Sequence, residues 1–269
     1  MLTAAMEIAQ RRLPHPPLTF LWTVQEEVGL HGARHAELKL LGGPKLAFNW
    51  DGGPPEKVTV GATGGYRMDI RVRGIPSHAG VAPEAGVSAI SLAALAIADL
   101  TRGGWHGLVV KGKHRGTSNI GVIHGGDATN VVTERVTLRA EARSHEPAFR
   151  ERIVKEIERA FERTAKELKS SKGERGGVLF DGRLDYEAFR LSEREPAVLE
   201  AVDTLQSVGL EPKLGVSNGG LDANWTSARG IPTVTFGCGQ MNVHTTAERM
   251  HIPNFHTACR VGLRLATGF

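Results

Sequence analysis

The stretch TVQEEVGLHG, residues 23–32, sets Glu26 and Glu27 side by side at the end of an apolar run and just ahead of glycines. Two carboxylates in one cavity repel each other, and a divalent cation removes the conflict. One carboxylate then binds the ion, while its neighbour, with a tuned pKa, takes a proton from a metal-activated water. Adjacent side chains on a strand point to opposite faces, but where the chain turns at a strand end both can reach one cavity. A bare Glu pair equally suits the first turn of a solvated helix, where acidic side chains favour the macrodipole. Asp51 in FNWDGGP and His244 in MNVHTTAERM each follow a further candidate strand. With Glu27 they make a Glu, Asp and His set without Cys, the ligand mix of a hydrolytic zinc, cobalt or manganese site. Taken singly, Asp51 can be a turn residue ahead of Gly and Pro, and His244 is one of 11 histidines.

Other residues offer weaker signals. His31 and His35 stand at i and i+4 of HGARH, a spacing that could bind zinc but lacks the Glu of HExxH. His78 lies in the Gly/Pro-rich loop GIPSHAGVAPEAG (74–86), and loops carried by rigid scaffolds concentrate function. HGGDATNVV (124–132) and SNGGLDANW (217–225) place Asn130, Asn218, Asp222 and Asn224 beside paired glycines. Such glycines permit close backbone approach to a ligand and equally build turns. No GxSxG, GxGxxG or GxxxxGK[ST] occurs, so nucleophile-elbow, dinucleotide and P-loop chemistries have no support.

The elements that must position these residues follow from apolar periodicity. LTFLWTV (18–24) predicts a buried parallel strand, GLHGARHAEL a short helix, and KLAFNW (45–50) a second strand ending on Asp51. Acidic residues at the carboxyl ends of strands predict an α/β sheet whose ligands sit along that edge. From about residue 62 the texture changes to strand (66–74), helix (86–100), strands (117–126 and 130–143), amphipathic helix (147–168) and strand (176–186). That βαββαβ order predicts a ferredoxin-like α+β domain inserted into the first. Helix, strand, helix, strand and a last helix from Pro253 then restore the α/β texture.

At 269 residues, 41% hydrophobic and 23% charged, the chain has the composition of a folded globular protein with one large or two moderate domains. The formal charge of +4 comes from basic residues interspersed with acidic ones, so no nucleic-acid partner is expected. Two cysteines without CxxC spacing indicate a reducing, cytoplasmic setting, and no apolar run is long enough to cross a membrane.

Taken in order, TVQEEVGLHGA, NWDGGP, GIPSHAGVAPEAGVSAI, TSNIGVIHGGDATNVV, EARS, SNGGLDANW and VHTTAERM resemble the motif series of the M20 metallopeptidases, in the peptidase T-like branch of di-zinc aminopeptidases. The resemblance implies a mixed-sheet zinc-peptidase domain at 1–61 and 187–269 with a lid and dimerisation domain at 62–186. It implies Glu26 as general base, Glu27 and His244 as ligands of one metal, and Asp51 as ligand of the other. His78 would reach across a homodimer, formed through the lid, to steady the oxyanion. Asn130 and the loop carrying Asn218, Gly219 and Asp222 would meet a small peptide or N-acyl amino acid substrate. Where peptidase T carries Arg at the start of that loop, this chain has Asn218. The family also places an HxD motif and a bridging Asp ahead of the helix that precedes the double glutamate, and here that helix begins at Met1. The expectation is therefore an N-terminally truncated chain holding one zinc or none instead of two. Its alternative role would be that of a catalytically impaired module that dimerises or binds peptides.

Overall fold

Apolar residues at helical spacing near the start fold as α1 (Leu2–Arg11), which stops at Arg12 in the left-handed region. In the computed structural model, which describes residues 1–268, the elements then run α2 (His31–His35), β1 (Ala47–Asp51), β2 (Lys57–Ala62), β3 (Gly64–Arg73), α3 (Ala89–Arg102), β4 (Gly107–Lys111), β5 (His114–Gly125), β6 (Arg135–Ser144), α4 (Pro147–Glu167) and β7 (Gly177–Tyr186). They continue with β8 (Phe189–Arg190), α5 (Pro196–Ser207), β9 (Lys213–Ser217), α6 (Asp222–Ala228), β10 (Thr233–Gly237), β11 (Gln240–Met241), β12 (Arg249–Met250) and α7 (Ile252–Thr267). Two compact units result: Met1–Thr63 with the chain from Tyr186 onward, and Gly64–Asp185.

The first unit is built on a mixed sheet flanked by helices. β1 lies parallel to β10, β10 antiparallel to β2, and β2 also pairs with β8 and, in parallel, with β9. Val58, Val60, Val234 and Phe236 from the strands pack against Ala197, Val198, Ala201 and Leu205 of α5 and Val261 of α7. The α5 residues recur every three or four positions behind Pro196 at the helix start, where a missing N–H costs nothing. β2 is an addition to the predicted set.

One predicted strand is absent. Residues 18–24 form no strand, and Leu18, Trp22 and Val24 are exposed. A strand exists only as a ladder of bonds to a neighbour. Among the described residues this run meets none, so an apolar sequence alone leaves it irregular, with Phe20 stacked on Trp22 at 5.8 Å.

The second unit is a five-stranded sheet in the order β4-β5-β6-β3-β7. The strands β5-β6-β3-β7 keep the ferredoxin-like order, and β4 is one strand more than the sequence predicts, formed as a hairpin on β5. α3 is capped by the Ser88 hydroxyl, which accepts from the Ser91 N–H at 3.2 Å. Together with α4 it covers the sheet through Leu92, Ala96, Ile153, Ile157 and Phe161, all buried against Ile70, Val72 and Leu138. No helix among the described residues is long and apolar enough to cross a membrane.

Asn224, suspected as a ligand-side residue, is structural. It is fully buried, its Oδ1 accepts from the Leu221 N–H at 2.8 Å, and its Nδ2 donates to the carbonyls of Thr63 (3.0 Å) and Glu187 (2.7 Å). Asn224→Ala strands buried backbone groups without partners and is expected to cost about 2–3 kcal/mol. Equilibrium urea unfolding measures this, and a loss under about 0.5 kcal/mol would contradict it.

Candidate active site

The loop bearing the two glutamates is closed by its own backbone. The Glu26 carbonyl accepts from the N–H groups of Gly29 (3.2 Å) and Leu30 (2.9 Å). The Gln25 carbonyl accepts from His31 (3.2 Å), and that of Val24 from Gly32 (2.9 Å). Gln25 and Leu30 adopt left-handed conformations to make these turns. Gly32 is required by the fit: a Cβ there would lie 2.5 Å from the Val24 nitrogen. The predicted helix after the glutamates is thus reduced to α2, whose first turn is one piece with the loop.

Asp51 ends β1 in register with Gly237 at the end of β10. Its carboxylate accepts from the Gly52 N–H at 2.6 Å, and its carbonyl accepts from the N–H (3.0 Å) and the thiol (3.2 Å) of Cys238. Burial and the nearby Asp51 carboxylate push the Cys238 thiol pKa up, which suits its role as a donor. His244 sits in the left-handed region, with its N–H donating to Glu248 at 2.7 Å and its Nε2 3.3 Å from the Glu27 carboxylate.

Glu26 carries the electrostatic signature of the cluster. Partial burial, then Asp51, Glu27 and Asp222, together raise its pKa from 4.5 to about 7. Burial also raises Asp222, although the Thr23 hydroxyl, bonded to its Oδ2, opposes the rise; Asp51 adds to it. Among the described residues no Lys or Arg is paired with Glu26, Asp51 or Asp222. The charges named as acting on Glu26 are all carboxylates.

The structure brings Glu27 and His244 into contact and sets Glu26 in the field of Asp51 and Asp222. It brings no three His, Cys, Asp or Glu side chains among the described residues close enough to hold a metal ion. His31 and His35 merely stack, 6.3 Å apart. Gly219 donates its N–H to the Ser217 hydroxyl (3.1 Å) just past β9, and Asn218 beside it is exposed. In the other unit, His78 and Asn130 are neighbours. The Ala79 N–H donates to the Asn130 carbonyl at 2.9 Å, and His78 bridges to Val131. The Gly80 N–H donates to His78 Nδ1 at 3.1 Å, so the neutral ring carries its proton on Nε2.

Thr23, Trp225 and Arg229 escaped the sequence reading. Thr23 bonds Asp222, 199 residues away. The Arg229 guanidinium donates to the carbonyls of Ala33, Arg34 and Ala36, and lies over the Trp225 ring at 5.6 Å. None of these pairings has a spacing that sequence could show.

Residues 60–169 match the family described as the peptidase dimerisation domain. The protein YqjE of Bacillus subtilis is 32% identical over 253 residues, covering 94% of this chain and 64% of YqjE. The crystal structure of aminopeptidase PepT from Bacillus cereus superposes with a TM-score of 0.84 at 32% identity, covering 98% of this chain and 67% of that one. A tripeptidase from Staphylococcus aureus does so with a TM-score of 0.87 at 33% identity over the same shares. The chain belongs to the M20 peptidase family, in its peptidase T-like branch.

This M20 chain spans 64% of the length of YqjE. Its fold is that of an M20 catalytic domain with the dimerisation domain inserted between β2 and β8. The donors present suit the family's metal in kind. Glu27, Asp51 and His244 offer oxygen and nitrogen without thiolate, and the clustered carboxylates call for positive charge. In number they are short of a closed site, since only Glu27 and His244 converge.

Proposed function

We propose that the chain is a metal-dependent M20 hydrolase that cleaves the amide bond of a small peptide or an N-acyl amino acid, with Glu26 as general base. The observation that carries this reading is the placement of Glu26 next to the Glu27 and His244 pair and in the field of Asp51 and Asp222. Burial, the largest cause of its raised pKa, persists when a cation offsets the neighbouring carboxylates, and a raised proton affinity suits a group that takes a proton from water. Glu26 would accept the proton of the attacking water and return it to the leaving amine. Glu27 and His244 would hold one divalent ion, zinc first and cobalt or manganese as alternatives, and Asp51, the implied ligand of a second, is joined by no pair of further donors among the described residues. When bound, such an ion supplies the charge that acidifies water and polarises the carbonyl. His78, through its Nε2–H, would donate to the developing oxyanion in the active site of a homodimer. Asn130, Asn218, Gly219 and Asp222 would position the substrate. Free thiols at Cys238 and Cys259 support a reducing, cytoplasmic setting.

The alternative reading is a catalytically impaired module that only dimerises or binds peptides, and the similarity to an aminopeptidase and a tripeptidase does not favour it. One experiment separates the two. The dialysed chain is titrated calorimetrically with zinc and assayed on a free-amino tripeptide, a dipeptide and an N-acetyl amino acid. We expect at most one zinc equivalent and zinc-dependent hydrolysis of at least one substrate. Peptide binding without hydrolysis under zinc, cobalt and manganese would replace the first reading by the second.

A further inference from the structure

We infer that Arg229 is a positioning residue for Glu26 and Glu27, acting as a latch on the far end of the loop and helix that carry them. α2 has five residues, too few to persist on its own, and its last carbonyls have no partners within the helix. The Arg229 guanidinium fills that end, donating to the carbonyls of Ala33, Arg34 and Ala36 at once, a task for a planar fork with several N–H groups. Its positive charge also complements the negative end of the helix. The guanidinium also lies over Trp225, whose ring has Arg229 at 5.6 Å and Arg34 at 5.5 Å from its centre.

What the latch fixes is the loop. The His31 N–H at the start of α2 bonds the Gln25 carbonyl, and those of Gly29 and Leu30 bond Glu26, so displacing α2 displaces Glu26. The entry to the same loop is tied to the same template, because Thr23 donates to Asp222 at the start of α6, while Arg229 follows its end. One seven-residue helix thus grips the segment 23–36 at both ends. The assignment of the hold stands on these bonds; its importance for catalysis rests on the roles proposed above for Glu26 and Glu27.

The test uses the full chain with Arg229→Ala, Arg229→Lys and Arg34→Ala. Arg34→Ala removes one cation from the Trp225 face but leaves the Arg34 carbonyl in place, so it serves as control. Hydrogen exchange at the amides of Gly29, Leu30, His31 and Gly32 is expected to quicken roughly tenfold or more in Arg229→Ala. Arg229→Lys keeps the charge without the fork and should stay at least about threefold faster than the parent. Amides of β3 and β6 should not change, and Arg34→Ala should match the parent. Zinc affinity, titrated calorimetrically with the metal alone, should weaken about threefold in Arg229→Lys. That readout would not move if the latch served stability only. Unchanged exchange at residues 29–32, full rescue by Lys, or faster exchange with unaltered zinc affinity would each overturn the inference. If Arg229→Ala does not fold, Arg229→Lys carries both readouts. A parent chain that binds no zinc removes the ligand roles of Glu27 and His244, and the exchange ratio then decides the hold of Arg229 by itself.

Discussion

Glu26→Gln is expected to lower kcat/KM for peptide hydrolysis by about 10²–10⁴-fold, the usual worth of a positioned general base. The same change should make the metal-free protein more stable above neutral pH. Glutamine keeps the shape of the side chain and removes the charge. In the folded state Glu26 titrates at about 7, against 4.5 ordinarily, because burial and the carboxylates of Asp51, Glu27 and Asp222 disfavour its ionised form. Between those values the folded chain binds more protons than the unfolded chain, so stability falls as pH rises. The contribution of this group is fully present below pH 4.5 and lost once the pH passes 7. Ionised Glu26 then opposes folding by roughly 2 kcal/mol, less than the whole shift would give because part of the side chain reaches solvent. Urea unfolding of both proteins at pH 5 and pH 8, without metal, should show them closer at pH 5 and Gln ahead at pH 8. Retained turnover in Glu26→Gln would remove Glu26 from the mechanism. Equal stability differences at the two pH values would remove the electrostatic account of the cluster.

Gly237→Ala should be among the most damaging single substitutions in the first unit. A Cβ at this position would stand 2.0 Å from the Pro54 carbonyl oxygen and 2.5 Å from that of Gly53, and both obstacles are backbone. Neither can rotate away, so either the end of β10 or the segment after β1 must shift. β10 is paired on both sides, with β1 and β2, and Gly237 is in register with Asp51. The strain therefore falls on the sheet centre and on a candidate ligand together. We expect a loss of about 3 kcal/mol, at the upper end for overpacking. In a protein of this size that lowers the thermal midpoint by roughly 10 °C. Differential scanning calorimetry reads the midpoint, and a change within about 2 °C would contradict the argument.

Much of the frame was legible because it rests on local pattern. β1 and β10 announce themselves as apolar runs that stop at Asp51 and Gly237, and α4 as a run of Phe149, Ile153, Ile157 and Phe161 at helical spacing. The misreadings share a physical cause: a strand is defined by its neighbours. Residues 18–24 have the composition of a strand but find no neighbour, whereas the small residues of VGA in β2 look like a loop and lie between several strands. The candidate site was read from residue types, Glu26, Glu27, Asp51 and His244, since each chemistry demands its own side chains, and of these the structure brings Glu27 and His244 into contact. Its supports were not, because Thr23 with Asp222 and Arg229 with Ala33 are contacts between residues 199 and 196 positions apart. Such pairs follow from the fold and leave no trace in local spacing.

The bonds of Asn224 have a consequence for how this chain can be rearranged. One side-chain nitrogen lies within 3.0 Å of the Thr63 and Glu187 carbonyls, so the chain leaves for the inserted domain and comes back at a single point. A gap that narrow is within the reach of a residue or two of polypeptide. The insert is thus a cassette: the host sheet closes in the same way whichever domain occupies 64–185, and a gene fusion at this point need not stretch β2 or β8.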